Sequence, residues 1–178
     1  MDSPASFGIA TKTVALVGHS AAGKSSCLTY INANSDADMD VALGTRESPN
    51  HVTALKWLSD PSRPAIVAVS NHEELLKAMN YAKLSGECPK EFGSIHFVYL
   101  HKPKDRLKRH LAKETAGGAS RPSDHQEYTL EHYDRFHRLF TGLAQDVIDC
   151  STASIADVAR RVRQISLEQK ERQSDKTT

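Results

Sequence analysis

Two glycines that frame a short loop constrain this chain more than any other feature of its sequence. Gly18 and Gly23 begin and end a G-x-x-x-x-G-K-S pattern that continues into Lys24 and Ser25. A β-branched apolar run, residues 13–17, precedes the loop, and a stretch with apolar residues at helical spacing follows it. The sequence therefore predicts a strand, a glycine turn and a helix in direct succession.

Such a loop suits the binding of phosphate groups. Glycines let the backbone turn so that several N–H groups face one anion, and the positive end of the helix dipole adds to the attraction. Lys24 can reach the β- and γ-phosphates of a nucleotide, and the Ser25 hydroxyl can bind Mg²⁺. The residues expected to line the nucleotide site are Gly18, His19, Ser20, Ala21, Ala22, Gly23, Lys24, Ser25 and Ser26.

Short apolar runs alternate with amphipathic stretches along the rest of the chain. The runs cover 13–17, 65–69 and 95–100, with weaker ones at 39–43 and 146–148, and helical patterns occupy 24–31, 52–58, 73–84, 105–113, 125–144 and 155–165. Five strands with apolar residues on both faces, separated by helices, indicate an α/β fold with a parallel sheet between helices. We expect a single domain over 1–178, with its core at 13–165 and a disordered tail at 169–178.

Charge and cysteine content exclude several classes of protein. Lysine and arginine total 23 against 22 acidic residues, a net charge of +1, so no global field attracts nucleic acid or an anionic membrane. Cys27, Cys88 and Cys150 are widely spaced and odd in number, which argues against a disulfide framework or a zinc cage, and we expect Cys27 to pack in the core. No signal-peptide pattern or membrane-length apolar run occurs, so we expect a soluble, cytoplasmic protein.

The class of nucleotide protein follows by elimination. GTPases of the Ras type need N-K-x-D and D-x-x-G segments, and residues 101–105, HKPKD, have the wrong spacing for the first. AAA and motor ATPases are longer and end a hydrophobic strand in paired acids, whereas the run 65–69 is followed by Ser70, Asn71 and His72. A small kinase remains.

Two further segments carry candidate catalytic groups. Asp38 and Asp40 alternate along the expected second strand, so both carboxylates share one face near its carboxyl end, where ligands collect. One can hold the metal, and the other can take the proton of an attacking hydroxyl. Residues 113–124 are typical of a mobile lid, from which Arg121 can reach the transferring phosphate. The alternatives are a solvated acidic loop and a flexible surface loop.

Together these motifs resemble shikimate kinase and its relatives in the nucleoside-monophosphate-kinase-like group. The likeness rests on the phosphate loop, the D-x-D pair, residues 98–100 with the basic helix after them, the Arg121-Pro122 lid and the ending at 146–152, and it covers about 13–162. It implies a three-layer P-loop fold with a small lid, whose five-stranded parallel sheet has the order 2-3-1-4-5. Relatives of this size are often monomers, so we expect a monomer.

The resemblance also implies roles for individual residues. Lys24 and Ser25 would bind ATP and Mg²⁺, and Asp38 would serve the metal through water. Asp40 would contact or deprotonate the acceptor hydroxyl, and Arg121 would be the lid arginine. Lys24, Asp40 and Arg121 are therefore the predicted catalytic residues.

The acceptor site departs from the shikimate kinase pattern. That family has a Gly-Gly-Gly turn after the third strand and an arginine in the acceptor-binding region, whereas this chain has Ser-Asn-His there and a shortened segment, 44–51, that contains Arg46. Arg135 and Arg138 straddle the place of the arginine expected after the lid. We therefore expect a hydroxylated small molecule other than shikimate. Its predicted pocket residues are Asp40, Arg46, His72, and Arg135 or Arg138.

Two other functions stay open. Antibiotic-modifying kinases have similar Ser-Ala-Gly-Lys-Ser loops. A nucleotide-binding regulator would instead use ATP or GTP as a switch, with slow hydrolysis and a protein partner. Replacement of Asp40 by asparagine separates a kinase from a switch. A kinase should keep its nucleotide affinity and lose turnover, whereas the chemistry of a switch protein should hardly change.

Overall fold

The structure is a computed structural model that describes residues 13–34, 66–69, 72–86, 93, 95–118 and 123–175. One or more helices separate each strand from the next along these residues, as the spacing of apolar residues predicts. The strands are β1 (Thr13–Val17), β2 (Ile66–Ala68), β3 (Ile95–His101) and β4 (Asp146–Asp149). The helices are α1 (Lys24–Asn34), α2 (His72–Ser85), α3 (Lys104–Ala116), α4 (Ser123–Glu131), α5 (Tyr133–Leu143) and α6 (Ile155–Ser174).

The four strands form one parallel sheet in the order β2-β1-β3-β4. Val14 of β1 pairs with Ile66 on one side and His96 on the other, so β1 is a central strand. The α/β class and the parallel sheet are confirmed, but the sheet has four strands in the described residues instead of the expected five. The expected second strand, 39–43, and the expected helix at 52–58 lie outside the described residues.

Helices cover both faces of this sheet because the buried strands carry apolar side chains on both sides. Val14 and Leu16 face one cluster, to which α1 and α6 contribute. Ala15 and Val17 face a second cluster, to which α2 and α5 contribute. This alternation is the two-residue period of a strand. In α5 the buried side chains recur at helical spacing, at Phe136, Leu139, Phe140 and Leu143.

Strand β4 is an edge strand and is buried on one face only. Val147 is 57% exposed, while Ile148 packs against the cluster beneath α1 and α6. The prediction of buried apolar side chains on both faces is therefore wrong for this strand, which pairs with β3 alone in the described sheet. His96 Nε2 donates to Asp146 Oδ2 at 2.8 Å and links β3 to this edge.

Two predicted helix boundaries are wrong. The single helix expected at 125–144 is two helices, α4 and α5, because at His132 the backbone leaves the helical conformation, with φ −94° and ψ 12°. The tail expected from Gln169 is helical as far as Ser174, and Gln169 itself is buried. No helix among the described residues is both long and apolar enough to cross a membrane.

Candidate functional site

The loop of residues 18–23 between β1 and α1 has a backbone that requires its glycines. Gly18 has φ +156°, and a Cβ placed there would lie 2.8 Å from the carbonyl oxygen of Leu100. Gly23 has φ +101°, which L side chains rarely adopt. Ala21 also has a positive φ, 64°, a conformation that costs of the order of 1 kcal/mol without glycine. The loop is thus held in an unusual, defined shape.

Lys24 lies across this loop. Its Nζ donates to the carbonyl oxygens of Gly18 at 2.6 Å and His19 at 3.0 Å. Helix α1 begins at Lys24, and Cys27 N–H is the first to bond back, to the carbonyl of Gly23 at 2.8 Å. The amides before it therefore lie at the positive end of the helix, where an anion binds most readily.

His19 anchors the loop to α5. Its ring lies parallel to that of Tyr133, with the centroids 4.1 Å apart, and meets Phe140 edge to face. Burial is the main cause that lowers the pKa of His19 to about 4, and Lys24 lowers it further. The neutral ring donates from Nε2 to the Tyr133 carbonyl at 3.0 Å. Its Nδ1 is then a buried acceptor with no partner among the described residues.

Lys102, just after β3, holds the other side of the loop. Its Nζ donates to the carbonyl of Ala21 at 3.1 Å, and burial lowers its pKa. The Tyr133 hydroxyl donates in turn to the carbonyl of Lys102 at 2.9 Å. Tyr133 therefore supports the loop both through His19 and through Lys102.

An open cavity of about 150 Å³ lies beside the loop. The walls of the cavity come from loop 18–23, from the start of α2 and from helix α4. Helix α5 contributes Phe136. The polar lining residues of the cavity are His19, Ser20, His72, Glu73, His125, Tyr128 and Thr129. The charge of Lys24 lowers the pKa of both His19 and His72, so the ammonium group is close enough to act on this cavity.

His72 is a second lining residue of the cavity that has a buried ring nitrogen. Burial lowers its pKa well below the usual value, with Lys24 as the next cause, so the ring is neutral. A hydrogen bond to the carbonyl of Val69 fixes the ring, and its Nε2 has no partner among the described residues. The ring also packs edge to face against Phe136 and Phe140. A buried acceptor without a partner costs about 1–3 kcal/mol, so both histidines favour a ligand with donors.

Among the described residues, the one carboxylate that lines the cavity is already paired. Glu73 accepts hydrogen bonds from the Tyr128 hydroxyl at 2.5 Å and from Arg135 at 3.2 and 3.4 Å. The bond to Glu73 raises the pKa of Tyr128. On the same wall Ser20 Oγ and His125 Nε2 are 2.9 Å apart, which joins the loop to α4.

The structure brings some of the predicted site residues together. His19, Ser20 and His72 line the cavity, Arg135 lies on its Glu73 wall, and Arg138 is exposed on α5. Ser25 and Ser26 are exposed at the start of α1, Ala21 is half-buried, and Ala22 is buried. Asp38, Asp40, Arg46 and Arg121 lie outside the described residues. Of the predicted lid, 113–116 end α3 and 123–124 begin α4.

Several residues of the site were missed by the sequence analysis. Glu73 and Tyr128 are 55 positions apart, and no local pattern links them. His125 likewise reaches Ser20 only through the packing of α4. Lys102 had a usable signal, because it follows the carboxyl end of a strand adjacent to β1, the edge where ligands of open parallel sheets bind.

Comparison with models of known protein families gave no match, and comparison with curated protein sequences gave none either.

Proposed function

We propose that this chain is a P-loop kinase that transfers the γ-phosphate of ATP to a hydroxyl of a small molecule. The observation that carries the proposal is the Lys24 ammonium held across a glycine-shaped loop by two carbonyls, at 2.6 and 3.0 Å. The strand order β2-β1-β3-β4, with the loop after a central strand, supports a three-layer P-loop fold.

The loop fits the phosphates of ATP. Gly18 has no room for a Cβ, and the first amides of α1 precede its first intrahelical bond. Lys24 would exchange its two carbonyl partners for phosphate oxygens, and this exchange places a cation on the β- and γ-phosphates. The exposed Ser25 hydroxyl would bind Mg²⁺, together with Asp38 through water. ATP supplies the phosphoryl group, and Mg²⁺ offsets its charge.

In the transfer step the acceptor oxygen forms a bond to the γ-phosphorus, and the bond from that phosphorus to the bridging oxygen of ADP breaks. Asp40 takes the hydroxyl proton, and Arg121 neutralises charge on the transferring oxygens. The cavity beside the loop supports a kinase over a nucleotide switch. A switch protein needs no second small-molecule site next to the phosphates.

Lys24→Met tests nucleotide binding while it keeps most of the apolar stem. Charge-assisted hydrogen bonds contribute about 1.5–3 kcal/mol each, so we expect Mg·ATP to bind about 10- to 100-fold more weakly in calorimetric titrations. Lys104→Met is the matched control, because Lys104 is half-exposed and pairs with Asp134 at 3.7 Å. Equal ATP affinity in Lys24→Met and wild type would overturn the proposal.

Asp40→Asn tests the transfer step. The amide cannot take a proton, so turnover should fall while Mg·ATP affinity stays within about twofold of wild type. Turnover at the wild-type level in this variant would remove Asp40 from the reaction.

A further inference from the structure

We propose that the cavity beside the loop binds the phosphate acceptor, and that this acceptor is a compact, uncharged polyol recognised by the bare ring nitrogens of His19 and His72. The inference rests on the proposed function and names its substrate class. It depends on three features of the cavity: its unpaired acceptors, its charge, and its place next to Lys24.

The unpaired acceptors define what a ligand must offer. His72 Nε2 and His19 Nδ1 are both buried and have no partner among the described residues. Their other ring nitrogens are committed, His72 to the carbonyl of Val69 and His19 to the carbonyl of Tyr133. Each bare nitrogen can therefore only accept a hydrogen bond. A hydroxyl group is a donor of the right kind, whereas a carboxylate is not.

The charge of the lining also disfavours an anionic acceptor. Within the described part of the chain Glu73 is the acidic lining residue, and it already binds Arg135 and the Tyr128 hydroxyl. The two histidines are kept neutral by burial and by Lys24. No lysine or arginine lines the cavity among the described residues, and Arg135 on its Glu73 wall is already paired. A neutral polyol needs no cation beside it.

Position and size suit a phosphate acceptor. The cavity includes His19 and Ser20 of the loop that holds Lys24, so a bound hydroxyl would lie next to the expected phosphates. A volume of about 150 Å³ suits a molecule of a few carbon atoms. Phe136 gives the cavity an apolar wall, on which the carbon chain of a polyol can pack.

Binding is tested first without chemistry, by long-range ¹H–¹⁵N spectra of the histidine rings in the full chain. The probes are glycerol, threitol and glucitol, each matched with the carboxylate of the same chain length: glycerate, threonate and gluconate. The His72 signal is assigned by its loss in His72→Phe. A polyol should shift His72 Nε2 towards the value of a hydrogen-bonded nitrogen, and its matched carboxylate should not. Stronger shifts by the carboxylates, or none by any probe, would overturn the proposal.

Turnover is then measured as ADP release from Mg·ATP with the same six compounds. The best polyol should exceed its matched carboxylate at least tenfold in kcat/KM. His72→Phe keeps the aromatic packing and removes the acceptor, so KM for the polyol should rise about tenfold with a smaller change in kcat. His110→Phe, an exposed residue of α3 outside the cavity, is the control and should match wild type.

The two proposals fail in different ways. ADP release that only carboxylates stimulate would overturn the polyol proposal and leave the kinase intact. Absence of Mg·ATP binding would remove the kinase, and the histidine spectra would still decide whether the cavity binds a polyol. A drop in kcat with unchanged KM in His72→Phe would remove His72 from acceptor binding.

Discussion

The imidazole of His19 lies face to face with the ring of Tyr133, with centroids 4.1 Å apart and planes 7° from parallel. His19 belongs to the loop after β1 and Tyr133 is the first residue of α5, so this contact joins the loop to the helix that covers the sheet. His19 Nε2 also donates a hydrogen bond to the Tyr133 carbonyl at 3.0 Å, which a neutral ring with its proton on Nε2 can form. Burial keeps this ring unprotonated at neutral pH, because the bond to Tyr133 alone would raise the pKa of His19.

Stability should fall as the pH drops from 6.5 towards 4. The pKa of His19 is about 4 in the folded chain and 6.5 in the unfolded one, so in this window the unfolded chain binds a proton that the folded chain does not. The full contribution is present above pH 6.5. Between pH 7 and pH 5 we expect His19 to contribute a loss of about 2 kcal/mol, measured by urea unfolding.

His19→Phe is the control for this pH dependence. Phenylalanine keeps a stacked ring without a titrating group, so its stability loss over the same interval should be about 2 kcal/mol smaller. His72 remains in this variant and still contributes in the same direction, because its pKa is also lowered. Equal losses in wild type and His19→Phe would contradict the role given to His19.

Gly18→Ala should destabilise the chain and disturb the loop. The new Cβ would lie 2.8 Å from the carbonyl oxygen of Leu100, and the residue has a positive φ, so we expect a cost of about 1–3 kcal/mol. Gly142→Ala is the matched control on α5, where the added methyl meets no atom within 4 Å. It should stabilise the chain by about 0.5–1 kcal/mol. Similar urea midpoints for the two variants would argue against the tight approach of the loop to β3.

The sequence predicted β1, the loop and α1 well, for physical reasons that are local. Thr13–Val17 has the predicted bounds because every residue in it is buried, and a glycine ends the strand. Helix α1 starts at the predicted Lys24. The order of the four described strands agrees with the order that the resemblance to shikimate kinase implies.

The features that the sequence did not predict depend on contacts between distant segments. The break at His132 has no glycine or proline to announce it, and it separates α4 from the α5 surface that binds His19. The last helix extends to Ser174, beyond the final apolar position, because Gln169 is also buried against the fold. The cavity brings Glu73 and Tyr128 together from two helices, which no spacing rule predicts.

Cys27 and Cys150 should resist alkylation in the folded chain. Burial raises the pKa of Cys27 to about 12 and that of Cys150 to about 11, so almost no thiolate is present near pH 8. Cys27 is fully buried, as the sequence analysis expected for a core residue. Iodoacetamide labelling followed by peptide mass spectrometry should modify both only after urea is added. Rapid labelling of Cys27 in the native chain would contradict its burial on the inner face of α1.

Arg135 and Arg138 should differ in their effect on the acceptor. Arg135 pairs with Glu73 and lies over the Phe136 ring at 5.6 Å, whereas Arg138 is exposed on the same helix. The Arg135–Glu73 pair is partly exposed and so contributes about 0.2–1 kcal/mol, which limits the rise in acceptor KM for Arg135→Leu to about fivefold. Arg138→Leu should leave KM unchanged. The reverse order would place the acceptor on the other side of α5.

The central claim is phosphoryl transfer to a small hydroxylated molecule, and acceptor-dependent ADP release tests it most directly. The purified chain is incubated with Mg·ATP and each member of a panel of hydroxylated compounds, shikimate included, with Lys24→Met as the blank. We predict that at least one uncharged polyol raises ADP release above the rate without acceptor, and that Lys24→Met abolishes the increase. ATP binding with no stimulation by any compound would contradict the claim.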